Sequence, residues 1–469
     1  MLALYAALCE ERPAGVIDIV PAARTVLLVT DPAETDLAEV ERALHRTRPR
    51  TDRRAAGELV EVPVTYDGED LDEVGSLLGC DADEVVRRHA GEEWTVAFCG
   101  FAPGFGYLAG ASGGWDVPRR SSPRTTVPPG SVGRVQRYLP PGIARRLATH
   151  RSHRAGRIRP ATRPARAAAP GHPRALHRRW PGMTAAAASL TVVEKGPLTT
   201  VQDAGRFGQG ALGIGRSGAC DRAAYRLANR LVGNDDGAAA LEVTFGGLVL
   251  RADGDVVLVT TGARCAGTPH NAPLTLAAGE QLALGAPVTG ARTYVAVRGG
   301  IDVPQVLGSR STDLLAGLGP DVLSAGDRLP VGHSIGQMPG IDVAAVPEPE
   351  AGELVVQVQP GPRRDWFTDD AWASLLNQHY TVTAQSNRVG LRLDGVPLER
   401  TSTRELPSEG MVRGALQIPS SGTPVLFLAD HPVTGGYPVV GYVVDRDVDR
   451  CGQLRTGQTL RFTTRQLGP

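Results

Sequence analysis

Glu194-Lys-Gly-Pro-Leu-Thr-Thr-Val-Gln-Asp-Ala-Gly-Arg-Phe-Gly208, followed by Gly215-Arg-Ser-Gly-Ala-Cys-Asp-Arg222, opens the part of the chain whose reading decides the fold. Gln202, Asp203 and Arg206 lie in a glycine-rich loop, and Ser217 and Asp221 precede a helix running through Tyr225 to Leu231. Asp221 suits an N-cap, because a short carboxylate can accept from the unpaired amides of the first turn. Around this segment short strands dominate: 190–194, 248–251, 255–261, 292–298, 353–359, 380–384, 415–417, 425–428, 442–444 and 459–463. Turn residues separate them at spacings typical of barrels and sandwiches. From residue 190 onward helical periodicity is confined to 222–231, 303–307 and 369–376. The reading is mainly β, α+β overall.

Composition agrees. Glycine (57) and proline (36) imply many turns, while aromatic residues are only 5%, which favours β architecture over helix bundles. The formal net charge is zero, so nothing global points to nucleic acid or an anionic membrane. No apolar run reaches transmembrane length, and a cytoplasmic location is the default expectation. The six cysteines are scattered without a Cys-x-x-Cys pair, which argues against a zinc site or a disulfide framework. Lys195 is the only lysine. No phosphate-cradling Gly-x-x-x-x-Gly-Lys loop exists, so an anion site must use arginine and backbone amides.

A second polar constellation is C-terminal: Ser386-Asn-Arg-Val-Gly-Leu-Arg-Leu393, Ser408-Glu-Gly-Met-Val-Arg-Gly-Ala-Leu-Gln417 and Ala429-Asp-His-Pro-Val-Thr-Gly-Gly-Tyr-Pro438. Asn387, Arg388, Arg392, Glu409, Arg413, Gln417, Asp430 and His431 place polar chemistry on a β scaffold. His431 sits among glycine and proline, where a ring nitrogen can be reached. A proton-transfer role and a purely structural one are both open for it.

The N-terminal part reads as helix 2–9, strands 16–20 and 25–29, helix 33–46, strand 59–66, and helices 70–78 and 81–89, the last capped by Asp81. It opens inside a helix and reads as truncated. After the buried strand 94–98 comes Cys99-Gly-Phe-Ala-Pro-Gly-Phe-Gly-Tyr-Leu108. Arg119 and Arg124 then precede Pro128-Pro-Gly-Ser-Val-Gly133. Arginines beside amide-exposing glycines suit an anion or carboxylate, and a Pro-Gly turn between strands is the alternative.

The segments of 190–462 resemble the 5-oxoprolinase C subunit, the KipA or biotin-dependent carboxyltransferase-like (allophanate hydrolase subunit 2) family. Those of the N-terminal part resemble the 5-oxoprolinase B subunit, the KipI or allophanate hydrolase subunit 1 family. The resemblance implies cyclophilin-like β-barrels in both parts with a small N-terminal α+β domain. The expected division is a truncated α+β domain at 1–75, an incomplete cyclophilin-like domain at 76–133, an anomalous segment at 134–182, and a C-type part at 183–469.

The anomalous segment holds thirteen arginines, four histidines and no acidic residue. Without apolar period it is expected to be disordered, a basic nucleic-acid arm being the alternative. The B-type resemblance implies a continuation containing Ser-Pro-Gly-Gly-Trp after Gly133. Codons permitted for 137–154, read one base later, can encode that continuation. In the same frame Met183-Thr184 must produce a stop, which forms an ATGA overlap of stop and start. Residues 134–182 therefore read as out-of-frame translation.

The resemblance further implies ATP-dependent opening of 5-oxo-L-proline to L-glutamate. It implies ATP with Mg²⁺, no covalently bound biotin, a separate A-type 5-oxoprolinase subunit, an intact B-type subunit and a small-molecule substrate as partners. No nucleic acid or membrane partner is expected. For ligand binding the candidates are Arg119, Arg124, Gln202, Asp203, Arg206, Ser217, Asp221, Asn387, Arg388, Arg392, Arg413 and Gln417. For proton transfer they are His431, Glu409 and Asp430, with no metal ligand. The expected site lies between the B-type and C-type parts. The alternatives are a carboxyltransferase-type component of a urea carboxylase/allophanate hydrolase system and a non-enzymatic kinase-regulating binding protein.

Overall fold

A computed structural model describes residues 1–49, 59–112, 115, 117, 132–136, 143–145, 155–160, 188–333, 336–402 and 404–465. The N-terminal part runs α1 (Leu2–Glu10), β1 (Val16–Pro21), β2 (Val26–Thr30), α2 (Leu37–Arg46), β3 (Val60–Pro63), α3 (Leu71–Leu78), α4 (Ala82–Gly91), β4 (Glu93–Cys99), β5 (Gly106–Gly110), β6 (Gly133–Gln136), β7 (Ile143–Arg145) and β8 (Ala155–Pro160). β1 and β2 form a hairpin, and the other strands form one sheet in the order β3-β8-β4-β5-β7-β6. The Asp81 carboxylate accepts from the Glu84 amide at 2.7 Å, which fixes the start of α4. Val85, Trp94, Leu108 and Trp115 form the small core between α4 and this sheet.

This sheet differs from the sequence expectation in two ways. It takes β3 from before residue 76, so the stretches 1–75 and 76–133 share it. It also draws β7, β8 and most of β6 from the segment expected to be disordered. β8 runs antiparallel to β3 and parallel to β4, and β7 pairs with β5 and β6. The physical reason is edge pairing: β3, β4 and β5 leave unpaired backbone groups that any adjacent extended segment can satisfy, whatever its side chains. The rest of 134–182 lies outside the described residues.

The next unit comprises β9 (Ser189–Lys195), β10 (Leu198–Gln202), α5 (Arg222–Leu231), β11 (Ala240–Thr244), β12 (Leu248–Ala252), β13 (Val256–Gly262), β14 (Leu274–Leu276), β15 (Gln281–Ala283), β16 (Arg292–Val297) and β17 (Arg328–Pro330). A five-stranded sheet, β10-β11-β16-β13-β14, faces a four-stranded one, β15-β12-β9-β17. Leu190, Val192, Leu241, Val243, Leu250 and Val295 are among the residues buried in the core they share. The helix expected at 303–307 is absent. Pro304 removes an amide donor, and Leu307 at φ 53° with Gly308 at φ 79° turns the chain instead.

The last unit holds β18 (Leu354–Pro360), α6 (Asp369–Asn377), β19 (Tyr380–Val382), β20 (Gly390–Asp394), β21 (Glu409–Gly410), β22 (Ala415–Gln417), β23 (Val425–Phe427), β24 (Thr434–Gly435), β25 (Val439–Val443), α7 (Asp445–Cys451) and β26 (Thr459–Thr463). Seven strands close a barrel in the order β18-β25-β22-β23-β20-β19-β26. Alternation fills it: Leu354, Val356 and Val358 of β18 point inward with Leu391, Leu393, Leu426 and Phe462. The seam pairs β18 with β26 in parallel, Leu354 opposite Leu460. The short β21–β24 ladder lies outside the barrel. The protein is thus mainly β, as the strand spacing implied.

Candidate functional site

Three pieces of chain converge where the N-terminal part meets the barrel. The Cys99–Phe105 loop leaves β4, and the Phe101 amide donates to Thr434 Oγ1 of β24 at 3.0 Å. A Cβ on Gly100 would sit 2.2 Å from that same oxygen, so only glycine fits. Phe101 carries φ 64°, a conformation costly for a bulky residue, and its side chain is half exposed. Cys99 forms a parallel bridge with Leu212 of the glycine-rich loop. The Gly210 amide donates to Asp18 Oδ2 at 2.9 Å, and the Ala23 amide to the Ser408 carbonyl at 3.0 Å. The B-type and C-type parts therefore meet at a direct junction.

His431 lies behind it, between β23 and β24. Its Nδ1 is 3.0 Å from the Pro432 carbonyl oxygen. A carbonyl only accepts, so Nδ1 carries the proton and Nε2 keeps its lone pair. Burial, with added repulsion from Arg222 and Arg413, pushes the His431 pKa down to about 4, against the opposing pull of the Pro432 bond. The imidazole is therefore neutral at pH 7, a proton acceptor held in one tautomer by its own backbone. Asp430 does not orient it. Its carboxylate is committed to Arg388 through 2.9 Å bonds to Nε and Nη2, to the Ser217 hydroxyl at 2.6 Å and to the Leu314 amide at 3.1 Å.

Arg388 is the hub of a buried network joining the barrel to the two-sheet unit. Besides Asp430 it binds Glu242 of β11 and the Gly218 carbonyl, the latter at 2.7 Å. Glu242 also accepts from the Tyr294 hydroxyl at 2.8 Å and the Cys220 amide at 2.9 Å, and it faces Arg292 at 3.4 Å. Burial alone would raise the Glu242 pKa, but Arg388 and Arg292 outweigh it and hold the group ionised. Asp221 caps α5 through the Ala224 amide at 2.9 Å and accepts from Gln453 Nε2 at 2.7 Å. Burial and, after it, Asp449 push its pKa up to about 6.

Other sequence candidates are spent on internal partners. Asp203 accepts from the hydroxyls of Ser309 and Ser311 and from the amides of Gly205 and Arg310. Arg206, 1% exposed, donates to the carbonyls of Val306 and Ser311. Gln202 bonds to Thr200 and the Thr312 carbonyl, and Gln417 to the Tyr437 carbonyl. Glu409 forms a two-bond pair with Arg363, so it is not placed as a partner of His431. The Asn387 side-chain oxygen closes a turn on the Val389 amide, and Arg392 is exposed on β20. Arg388 and Arg206 are thus buried cations held by internal partners, with Arg206 Nη1 left without one. Arg119 and Arg124 lie outside the described residues.

Comparison with known proteins follows this division of the chain. Residues 212–464 match the family described as carboxyltransferase domain, subdomain A and B, and residues 1–139 match carboxyltransferase domain, subdomain C and D.

The chain belongs to the carboxyltransferase domain, subdomain A and B, family.

Its relatives include the 5-oxoprolinase C subunit of Escherichia coli, 39% identical, the alignment covering 58% of this chain and 90% of that one. A second is the 5-oxoprolinase B subunit of Bacillus subtilis, 35% identical over 27% of this chain and 60% of that protein. The urea amidolyase of Lachancea kluyveri is 30% identical over 58% of this chain but only 17% of its own length. The crystal structure of TTHA0988 superposes with a TM-score of 0.80 at 34% identity, covering 98% of this chain and 96% of that one. The resemblance drawn from the motifs is therefore shown for both parts, as is the fold. Among the described residues no helix is long and apolar enough to cross a membrane.

Sequence reading of this carboxyltransferase-family chain misses Glu242, Arg292, Tyr294, Arg363 and the pair Arg216 and Arg222. Glu242 leaves a signal: a lone carboxylate in the apolar run Ala240-Leu-Glu-Val243, which must find a buried cation. The partners of the others come from distant segments and leave none.

Proposed function

We propose that this chain is a component of an ATP-dependent 5-oxoprolinase, in which His431 moves a proton during opening of the lactam. The observation that carries the reading is the fixed tautomer of His431. It is a neutral imidazole with Nδ1 on the Pro432 carbonyl and Nε2 left as base, three residues from the Thr434 contact that joins B-type and C-type parts. The names of the relatives, the B and C subunits of 5-oxoprolinase, supply the reaction.

A lactam resists water because its nitrogen lone pair is delocalised into the carbonyl. ATP, bound with Mg²⁺, would transfer its terminal phosphoryl group to the amide oxygen and leave as ADP. Water then adds to the ring carbon while His431 Nε2 takes a proton from it. The resulting imidazolium returns that proton to the ring nitrogen as the C–N bond breaks and the added hydroxyl gives its proton to the freed amine, which leaves an acyl phosphate that a second water hydrolyses to glutamate and phosphate. General acid–base help of this kind contributes roughly 10²–10⁴ in rate. Among the described residues, Arg216, Arg222 and Arg413 would offset phosphoryl charge, whereas Arg206 and Arg388 are already held by internal partners. Among the described residues no set of three His, Cys, Asp or Glu side chains is arranged to hold a metal, so Mg²⁺ would arrive on the nucleotide or be held by the A-type partner. Asp430 and Glu409, paired with Arg388 and Arg363, would position their surroundings rather than move a proton.

The test is ATP hydrolysis dependent on 5-oxoproline with A-type and B-type partners added, by the wild type and by His431→Ala. Hydrolysis unaffected by 5-oxoproline would sink the reading. The similarity to urea amidolyase favours one second reading, carboxyl transfer. It predicts instead that carboxylated biotin is discharged by this chain.

We also propose that residues 134–182 arise from a shifted reading frame. Support comes from their thirteen arginines without an acid and from the subdomain C and D match, which stops at residue 139. Sequencing the DNA across codons 133 to 183 decides it: an unbroken single frame in independent isolates overturns the proposal.

A further inference from the structure

Three guanidiniums gather beside His431, and none of them is absorbed by the buried Arg388 network. Arg216 follows Gly215, whose added Cβ would lie 3.0 Å from the His431 carbonyl oxygen. Its Nε donates to the Ala204 carbonyl at 3.0 Å, and its guanidinium lies over the Phe207 ring, 4.0 Å from the centroid. Among the described residues Arg216 makes no ion pair. Arg222 begins α5; its Nη1 is 3.4 Å from Asp445 Oδ1. Arg413 donates to the same Asp445 oxygen at 2.6 Å, to Asp449 at 2.5 Å and to the Cys220 carbonyl at 2.9 Å. Its Nε is buried with no partner.

The exposures within this group are uneven in an informative way. The Arg413 and Arg222 side chains are 5% and 16% exposed, yet the carboxylate bridging them, Asp445, is 72% exposed. Two sheltered cations thus share one oxygen of an exposed and replaceable anion. Three guanidiniums face two carboxylates, and Asp449 is itself divided between Arg413 and the Arg222 amide. The mutual repulsion is visible: burial first, then Arg413 and Arg216, push the Arg222 pKa down to about 9. An arginine does not surrender its proton at neutral pH. Surplus positive charge of this kind favours an anion from outside.

We propose that Arg216, Arg222 and Arg413 form an anion subsite beside His431, in which the Asp445 carboxylate holds the place that a carboxylate or phosphoryl group of a small ligand takes on binding. Planar forks from Arg222 and Arg413 match either group bidentately, and Arg216, stacked on Phe207, closes the site from the loop. Asp445 then swings into solvent, where its charge is hydrated. Its resting contact keeps the arginines from capturing bulk anions, so the subsite discriminates by requiring a ligand strong enough to displace it. The assignment of this subsite to the lactam reaction rests on the function proposed above, but its ability to bind anions does not.

The test is calorimetric titration of the full chain with inorganic phosphate and, separately, with L-glutamate, at constant ionic strength. Asp445→Asn is expected to tighten binding of at least one of them about fivefold, the size of one partly exposed charge interaction. Arg222→Gln is expected to weaken it about tenfold or more, and Arg222→Lys to lose less. Phosphate binding alone marks a phosphoryl subsite, glutamate binding alone a carboxylate subsite, and both outcomes support the proposal. Binding that is absent, or unchanged or weakened in Asp445→Asn, overturns it. Should Arg222→Gln lose its thermal transition, the Asp445→Asn and Arg222→Lys arms still decide. Anion binding that follows these variants without any 5-oxoproline-dependent hydrolysis would remove the proposed reaction and leave the subsite. Hydrolysis lost in His431→Ala while all the arginine variants bind anions normally would do the reverse.

Discussion

Arg388 and Asp430 meet through two parallel bonds of 2.9 Å, Nε to Oδ2 and Nη2 to Oδ1, with side chains 1% and 0% exposed. The same guanidinium reaches Glu242 in the other unit. One arginine therefore bridges two buried carboxylates from different units, and Arg292 shares the charge of Glu242. Arg388→Met should destabilise the chain by roughly 3–5 kcal/mol, because it strands both acids in a dry interior. Urea denaturation measures this, and adding Glu242→Gln and Asp430→Asn should recover part of the loss. A cost under about 1 kcal/mol would show that water reaches the network.

His431→Ala is expected to lower the 5-oxoproline-dependent rate by roughly 10²–10⁴ with the fold retained by circular dichroism. Because Nε2 stays unprotonated down to about pH 4, the wild-type rate should lack an acidic limb near the ordinary histidine pKa. An inflection near about pH 6.5 in kcat/KM would assign the base to another group.

Stability should respond to pH through the same ring. The unfolded chain protonates His431 as pH falls below about 6.5, whereas the folded chain resists until about 4. The histidine therefore disfavours the folded state progressively across that window, by up to about 3 kcal/mol. Asp221 and Asp313, both raised to about 6 by burial and neighbouring carboxylates, work in the opposite direction. The wild-type curve alone is thus blunted. The clean measurement is the stability difference between wild type and His431→Asn, which should shift in favour of the variant between about pH 7 and pH 4.

Gly100→Ala tests the junction. Its methyl group would meet Thr434 Oγ1 at 2.2 Å and Cγ2 at 2.8 Å. Overpacking of this kind costs about 1–3 kcal/mol. In the Thr434→Ala background the two closest contacts go and only Cβ remains, at 3.0 Å, so the second substitution should cost much less than it does alone. Equal costs in both backgrounds, read from thermal melts, would mean that the loop simply moves aside.

Local signals in the sequence carry much of this architecture. Asp221 before Arg222–Leu231 and Asp81 before Ala82–Gly91 both cap their helices as expected, because an N-cap needs only neighbours in sequence. Inward alternation in Leu354–Pro360 marks a barrel strand for the same reason. What fails is non-local or competing. The periodicity of 303–307 suggests a helix that Pro304 and a left-handed Leu307 prevent. The composition of 134–182 suggests no order, yet backbone pairing with existing strands places β7 and β8 there. At the site, His431 is legible as chemistry, but the group that orients it is the Pro432 carbonyl rather than the adjacent Asp430. Arg216 and Arg222 look like ordinary loop and helix residues, since their meaning depends on Arg413 and Asp445 far along the chain.

The parallel seam between β18 and β26 sets a timetable for the barrel. Leu354 cannot meet Leu460 until nearly all of that unit has left the ribosome, so until then the other six strands can form only an open sheet with β18 and β19 as its edges. Closure is then a single late event that carries the loop entropy of the whole unit. Synthesis that stalls or stops short of β26 would leave a sticky half-cylinder rather than a smaller working domain. The last strand to be made is thus the latch of the barrel, and quality control during translation has more to guard there than anywhere else in the unit.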